Sequence, residues 1–219
     1  MAESGVEPKH QMTRVFLWVI GAVVSAAIGV VIGWQLEPLR PISATCDNPI
    51  GLRPLKTQVT LSEGLGEFPT APSGTTFVAA NMVDGDATTA WVENRPGQDR
   101  GVGGELTFVF DENDDATFGD SVTPTLICIT NGFAKRSDLF RTNSSVKQLS
   151  VVTAGEHHET TLERKTPDRM LQADSVDFAH IPTTSVSVVI LDANEPWTDG
   201  TVDEYDLAIT DVMFFASSE

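Results

Sequence analysis

Basic residues are scarce in this chain. Lysine and arginine number 14 against 31 aspartates and glutamates, a net charge of −17. Such a surface repels a phosphate backbone, which excludes nucleic acid as a partner and leaves cations, a basic partner or plain solvation. The imbalance does not begin at the N-terminus, where Glu3 and Glu7 are offset by Lys9 and Arg14. Cysteine is nearly absent: Cys46 and Cys128 are the only two. In an oxidising compartment they could pair, whereas Cys128, inside the apolar run TLICIT, equally suits a small buried hydrophobe. Catalytic signatures are missing as well. The chain has no Gly-x-Ser-x-Gly, no His-Glu-x-x-His and no phosphate-cradling glycine loop. His157 and His158 are adjacent, so on a strand they would point to opposite faces, poor geometry for a shared metal. The expectation is a protein that is not an enzyme.

One long apolar run is present. Val15 to Trp34, VFLWVIGAVVSAAIGVVIGW, holds twenty residues without a charge. At about 1.5 Å per residue a helix of that length spans about 30 Å, the hydrocarbon thickness of a bilayer. Trp18 and Trp34 lie near its ends, where interfacial aromatics belong. A cleaved secretory signal would be shorter and followed by a small-residue site, which QLEPLRPISATC does not offer. SATC before Cys46 is a poor lipoprotein box, without leucine at its start and too far from the apolar run. Residues 1–14 are therefore read as a cytoplasmic tail, 15–34 as an uncleaved transmembrane helix, 35–57 as a Pro-rich stalk or linker, or a lead-in packed along the domain, and 58–219 as an extracytoplasmic domain. Lys9, His10 and Arg14 before the segment, against Glu37 and Arg40 after it, place the N-terminus inside. Gly21, Ser25, Gly29 and Gly33 recur at every fourth residue and form one ridge of small side chains. Such a ridge lets a helix of another integral membrane protein approach closely, although glycine is also simply common in membrane helices.

Beyond the stalk, short β-type runs alternate with turn residues. They are TTFVAA from Thr75, ELTFVF from Glu105, TLICIT from Thr125, VKQLSVV from Val146, HHETTLER from His157, SVSVVILDA from Ser185 and LAITDVMFF from Leu207. No helical period holds there over three turns. This spacing indicates an all-β domain, a sandwich or barrel. DENDDATFGD joins two of the runs and reads as a solvated acidic loop.

The segment MVDGDATTAWVE, Met82 to Glu93, concentrates oxygen atoms just before a large ring. Asp84 and Asp86 flank Gly85, with Thr88 and Thr89 following. Calcium takes six to eight hard oxygens from carboxylates, hydroxyls and carbonyls, and this loop offers that mixture. An Asx-type turn capping a strand accounts for the same residues.

At this point the chain resembles a family. NMVDGDATTAWVE, GVGGELTFVF, ITNGFAKRSDLFRTNSSVKQLSV and TTSVSVVILDA…YDLAITDVMFF are similar to the discoidin-type galactose-binding domains. The nearest branch is the bacterial NADase-type glycan-binding domain. The likeness runs from about Phe77 to Phe215, and NGFAK with LFRTNSSVK is its most specific part. It implies an eight-stranded jelly-roll β-sandwich with a structural calcium ion between the DGD loop and the last strand. Asp84 or Asp86 with Thr89 would supply ligands, and Asp211 stands where relatives carry glutamate. Trp91 would pack beneath the loop as a core residue and not as a sugar platform. The family's fusion to NAD-cleaving enzymes does not transfer, because no such region is present here.

Glycan recognition needs an exposed aromatic face together with amide, carboxylate or guanidinium groups. On loops the candidates are Asn131, Phe133, Lys135, Arg136, Asp138, Phe140, Arg141 and Asn143, with Trp197 and Tyr205 as a second wall. Phe133 and Phe140 would serve equally well to pack the long loop onto the sandwich. Asn143-Ser144-Ser145 is also a glycosylation sequon. Two functions are expected from these features. One is a membrane-anchored module that binds a glycan or another envelope component. The other is an accessory subunit of a larger bacterial membrane complex, such as a respiratory supercomplex, held through its helix and its sandwich.

Overall fold

In the computed structural model the described residues are 44–63, 65–67, 76–93, 101–111, 117–176, 178, 180–197 and 206–218. The expected tail, the apolar segment Val15 to Trp34, its ridge Gly21, Ser25, Gly29 and Gly33, and Tyr205 lie outside them. Among the described residues no helix is long and apolar enough to cross a membrane.

Ala44–Glu219 is one compact unit, an all-β sandwich of two antiparallel sheets. Ten strands are described: β1 Leu52–Pro54, β2 Lys56–Leu61, β3 Trp91–Val92, β4 Glu105–Asp111, β5 Pro124–Asn131, β6 Ser145–Thr153, β7 Glu156–Thr161, β8 Asp174–Val176, β9 Ser185–Asn194 and β10 Ala208–Ser217. One sheet has the order β1-β10-β5-β8, with β3 also paired to β10; the other runs β2-β4-β9-β6-β7.

Period-two alternation explains the second sheet. In β4 the inward residues are Leu106, Phe108 and Phe110, and in β9 Val186, Val188 and Ile190, all buried. In β6 the inward pair Val146 and Leu149 is three residues apart, because the register with β9 shifts on either side of Gln148. One extra residue there returns the alternation to the core. Phe214 of β10 packs across the layers against Phe108 and Phe110, with centroids 5.0 and 5.2 Å away.

TLICIT in β5 does not alternate because both its faces are covered. Ile127 and Ile129 face the main core, while Leu126 and Cys128 join Phe215 in a second apolar cluster against Ala44, Cys46 and Leu52. A disulfide between Cys46 and Cys128, with Cα atoms 5.6 Å apart, fastens that covering segment. The two cysteines therefore pair, and Cys128 is fully buried as well.

Of the two readings of the Pro-rich segment, residues 44–57 fit the packed lead-in and not the stalk: they belong to the compact unit, with Leu52–Pro54 paired to the end of β10 and Lys56–Leu61 to β4. An edge strand tolerates Pro54 because no neighbour needs an N–H there. The expectation of a strand at TTFVAA needs correction: its described residues, 76–80, belong to none of the strands, and Ala79–Met82 forms a 3-10 turn.

Candidate functional site

One end of the sandwich gathers the loop before β3, the connection from β5 to β6 and the segment after β9. Gly85 adopts φ +70°, a left-handed conformation that folds the first of these loops back on itself. Asp84 Oδ1 accepts the Asp86 N–H at 2.8 Å, and Asp86 Oδ1 accepts that of Thr88 at 2.8 Å. Thr89 Oγ1 lies 2.8 Å from Asp84 Oδ2 and 2.8 Å from the Asp86 carbonyl. The loop is thus a pair of linked Asx turns. The bonds from Thr88 hold the Asp86 carboxyl below its usual range, with the charge of Lys135 nearby adding to them.

Asp211 in β10 faces this loop from the core side. It is 6% exposed, and its Oδ1 has no hydrogen-bond partner. Burial, and then the negative charge of Asp84, push its pKa up to about 6. A divalent cation would satisfy the orphaned oxygen and relieve the repulsion between the two carboxylates. Among the described residues no group of three or more His, Cys, Asp or Glu side chains is placed to hold a metal ion. The donor set would therefore have to include the Thr89 hydroxyl and backbone carbonyls, which calcium accepts. Trp91 is fully buried beneath the loop and donates its indole N–H to the Gly66 carbonyl at 3.0 Å.

The β5–β6 connection uses much of its chemistry on itself. Asn131 is buried; its Nδ2 donates to the Val146 carbonyl at 2.6 Å and its Oδ1 accepts the Val146 N–H at 2.9 Å, sealing β5 to β6. Phe133 is buried with Ala90, Val92 and Ala208, and meets Phe77 edge to face at 5.6 Å. Phe140, on the short helix α1 (Ser137–Thr142), is buried too. Asn143 closes that helix, donating from Nδ2 to the Leu139 carbonyl at 2.8 Å, and Ser144 beside it is fully buried. The sequon is thus committed to the fold. Lys135, Arg136 and Arg141 remain exposed. Arg136 is ion-paired with Asp138 and draws that carboxyl down to about 2.

Among the described residues Trp197 is the aromatic candidate that stays open, 39% exposed. Its backbone N–H donates to the Arg141 carbonyl at 2.9 Å, which places it beside α1. Arg164 lies over the indole with its guanidinium carbon 4.1 Å from the ring centroid, and Nη2 donates to the Glu195 carbonyl at 2.8 Å. A cation stacked on indole is attractive and fixes the ring plane. The structure therefore brings together Trp197, Arg141 and Arg164, keeps Lys135 and Arg136 on the adjoining loop, and withdraws Asn131, Phe133 and Phe140 into the interior. Arg164 was missed by sequence reasoning: it follows β7, distant along the chain from Trp197, and no local pattern marks it.

No curated protein matches the chain. Solved structures resemble it at low identity. An arabinofuranosyltransferase from Mycobacteria, AftD, is 14% identical with a TM-score of 0.48; the likeness covers 76% of this chain but only 12% of that one. The family 32 carbohydrate-binding module of NanJ from C. perfringens, solved with galactose, is 12% identical with a TM-score of 0.45, covering 75% of this chain and 98% of that one. A second C. perfringens module, solved with GalNAc-β-1,3-galactose, is 13% identical with a TM-score of 0.47 and covers 75% and 100%. A sequence model of one family matches residues 68–215, most of the sandwich. The chain belongs to the NAD glycohydrolase translocation F5/8 type C domain family.

Proposed function

We propose that this chain is a non-catalytic binding module, anchored in the cell membrane by residues 15–34, whose sandwich faces outward and recognises a glycan or another component of the cell envelope. The observation that carries this reading is the Trp197 rim. A partly exposed indole, planed by the Arg164 guanidinium and held by the Arg141 backbone carbonyl, offers an apolar face for a sugar ring and a guanidinium donor for its hydroxyls. Family membership supports it. In this reading a structural calcium ion is held by Asp84, Asp86, Thr89 and Asp211. Its part is to tie the loop to β10 and keep the rim in place, and it does no chemistry. The test is a panel of envelope glycans presented to the full-length chain in mild detergent, with Arg164→Ala beside it. Retention of a glycan by the wild type and its loss in the variant supports the rim; no retention sinks it.

A second reading rests on the ridge of Gly21, Ser25, Gly29 and Gly33. Close helix packing there would make the chain an accessory subunit of a membrane complex. Stoichiometric membrane partners that co-purify with the wild type and are lost in Gly29→Leu would favour this reading.

A further inference from the structure

The outer side of the β2-β4-β9-β6-β7 sheet takes no part in the rim or the core. Its side chains are those that alternate with the inward ones, and the strand register orders them in rows. One row runs Thr60, Thr107, Ser187, Val152 and His157. The next runs Ser62, Glu105, Val189, Ser150 and Glu159. Thr107, Ser187, Val189 and Val152 are all partly exposed. The Thr107 and Ser187 hydroxyls lie 3.3 Å apart in a hydrogen bond, and Gln148 Nε2 donates to Glu159 at 3.3 Å. Short side chains bonded along the sheet leave this face flat.

Three observations bear on what such a face meets. The first is charge. The chain carries −17, so two copies repel wherever their acidic surfaces approach. The middle of this face carries no charge. Lys56 is paired with Asp111 at one margin and Lys147 with Asp192 at another, which leaves Glu105 and Glu159 in a single row. The second observation is the order within the rows. A two-fold axis along β9, the middle strand, lays each row over itself in reverse. Glu105 of one copy then meets Ser150 of the other, Glu159 meets Ser62, and His157 meets Thr60. No carboxylate in these rows meets a carboxylate. Ser62 Oγ accepts the Glu105 N–H at 3.0 Å, which leaves its hydroxyl proton to donate across the contact. At the axis stand Ser187 and Val189, small enough for two sheets to reach the usual face-to-face spacing of about 10 Å. The third observation is area. The five strands hold six to ten residues each. At about 4.8 Å between strands and about 3.3 Å per residue they present about 600 Å². Two copies would bury about 1,200 Å² together, the lower bound for a specific interface.

We propose that this face packs against the same face of a second copy of the chain, the two sheets stacked about a two-fold axis along β9. The contact does not depend on the rim. On the rim reading it also points both Trp197 side chains to the same end of the pair, which makes glycan recognition bivalent.

The test is sedimentation equilibrium of the full-length chain in density-matched mild detergent over a wide range of concentration. Variants Ser187→Glu, Ser187→Lys and Gly29→Leu are run alongside, each first checked for an unchanged melting profile. Ser187 points away from the core, so a longer side chain there extends into solvent in the single copy. In the pair Ser187 faces its own counterpart. Either charged variant alone therefore sets like charges against each other, and a mixture of the two sets opposite ones. The wild type is expected to dimerise reversibly, and each charged variant to dimerise at least about tenfold more weakly. An equal mixture of the two should recover the dimer, and Gly29→Leu should keep it. The proposal is overturned if the wild type stays monomeric, if Ser187→Glu dimerises as the wild type does, or if the mixture does no better than its components. Loss of the dimer in Gly29→Leu alone would also overturn it, by moving the contact to the apolar segment. Failure of the rim reading shows elsewhere, in glycan retention that Arg164→Ala leaves unchanged.

Discussion

Replacing Asp211 by asparagine should stabilise the protein in chelator and destabilise it, relative to wild type, in calcium. Burial and the charge of Asp84 raise the Asp211 pKa from 3.8 to about 6. A shift of about 2 units at about 1.4 kcal/mol each amounts to about 3 kcal/mol. The sign follows from linkage. The folded state holds this proton more tightly than the unfolded chain, so stability from the group is intact below about pH 4 and is lost as pH rises towards about 6. Above that, the ionised carboxylate burdens the metal-free fold by the full amount, which asparagine removes. At about pH 8 in chelator, Asp211→Asn should melt roughly 6–12 °C higher than wild type, and at about pH 4 the two should coincide. Calcium added at about pH 8 should raise the melting temperature of the wild type and leave the variant where it was, reversing their order. Thermal unfolding followed by circular dichroism measures all four conditions. Equal melting temperatures in chelator at about pH 8, or a difference that does not change with pH, would refute the electrostatic argument. A calcium response in the variant equal to that of the wild type would refute the assignment of Asp211 as a ligand.

Other outcomes follow from the packing. Cys46→Ala with Cys128→Ala opens a bridge across 82 positions of sequence. By loop entropy this should cost about 4 kcal/mol, seen as a lower denaturant midpoint, with the wild type under reductant matching the variant. Gly132→Ala should cost about 2 kcal/mol or more, because φ is +83° there and the added carbon would meet the Phe140 ring at 2.8 Å. Lys165 is 5% exposed and bonds Asp174 at 2.6 Å and Glu163 at 2.8 Å. Lys165→Met should therefore cost about 3 kcal/mol in chemical denaturation by stranding Asp174, while Lys165→Met with Asp174→Leu should recover much of it.

What the sequence revealed divides along physical lines. Strands whose two faces differ were legible: ELTFVF and SVSVVILDA alternate, and the structure places their apolar residues inward. TLICIT was legible as a buried strand, but the cover on its outer face was not. That cover is the segment with Pro49 and Pro54, whose composition suits a stalk as well as a packed lead-in and whose place depends on a pairing with β10 at the far end of the chain. Strands of two or three residues, β3 and β8, carry no period to read. At the rim, Trp197 was visible as an aromatic on a loop. Phe133 and Phe140 looked alike in sequence, since a loop has no alternation to separate an inward ring from an outward one. Phe77 and Gly132 decide the matter only once the chain is folded. Arg164 reaches the indole through tertiary structure alone.

The account's central claim is that the Trp197 rim recognises a glycan. The most direct measurement is the affinity of the full-length chain, in calcium, for the envelope glycan it retains best, compared with Trp197→Ala. Loss of a stacked ring should weaken binding by about tenfold or more, with the melting temperature unchanged, because the indole is partly exposed and outside the core. Equal affinity in the two proteins would contradict the account and move recognition away from the rim.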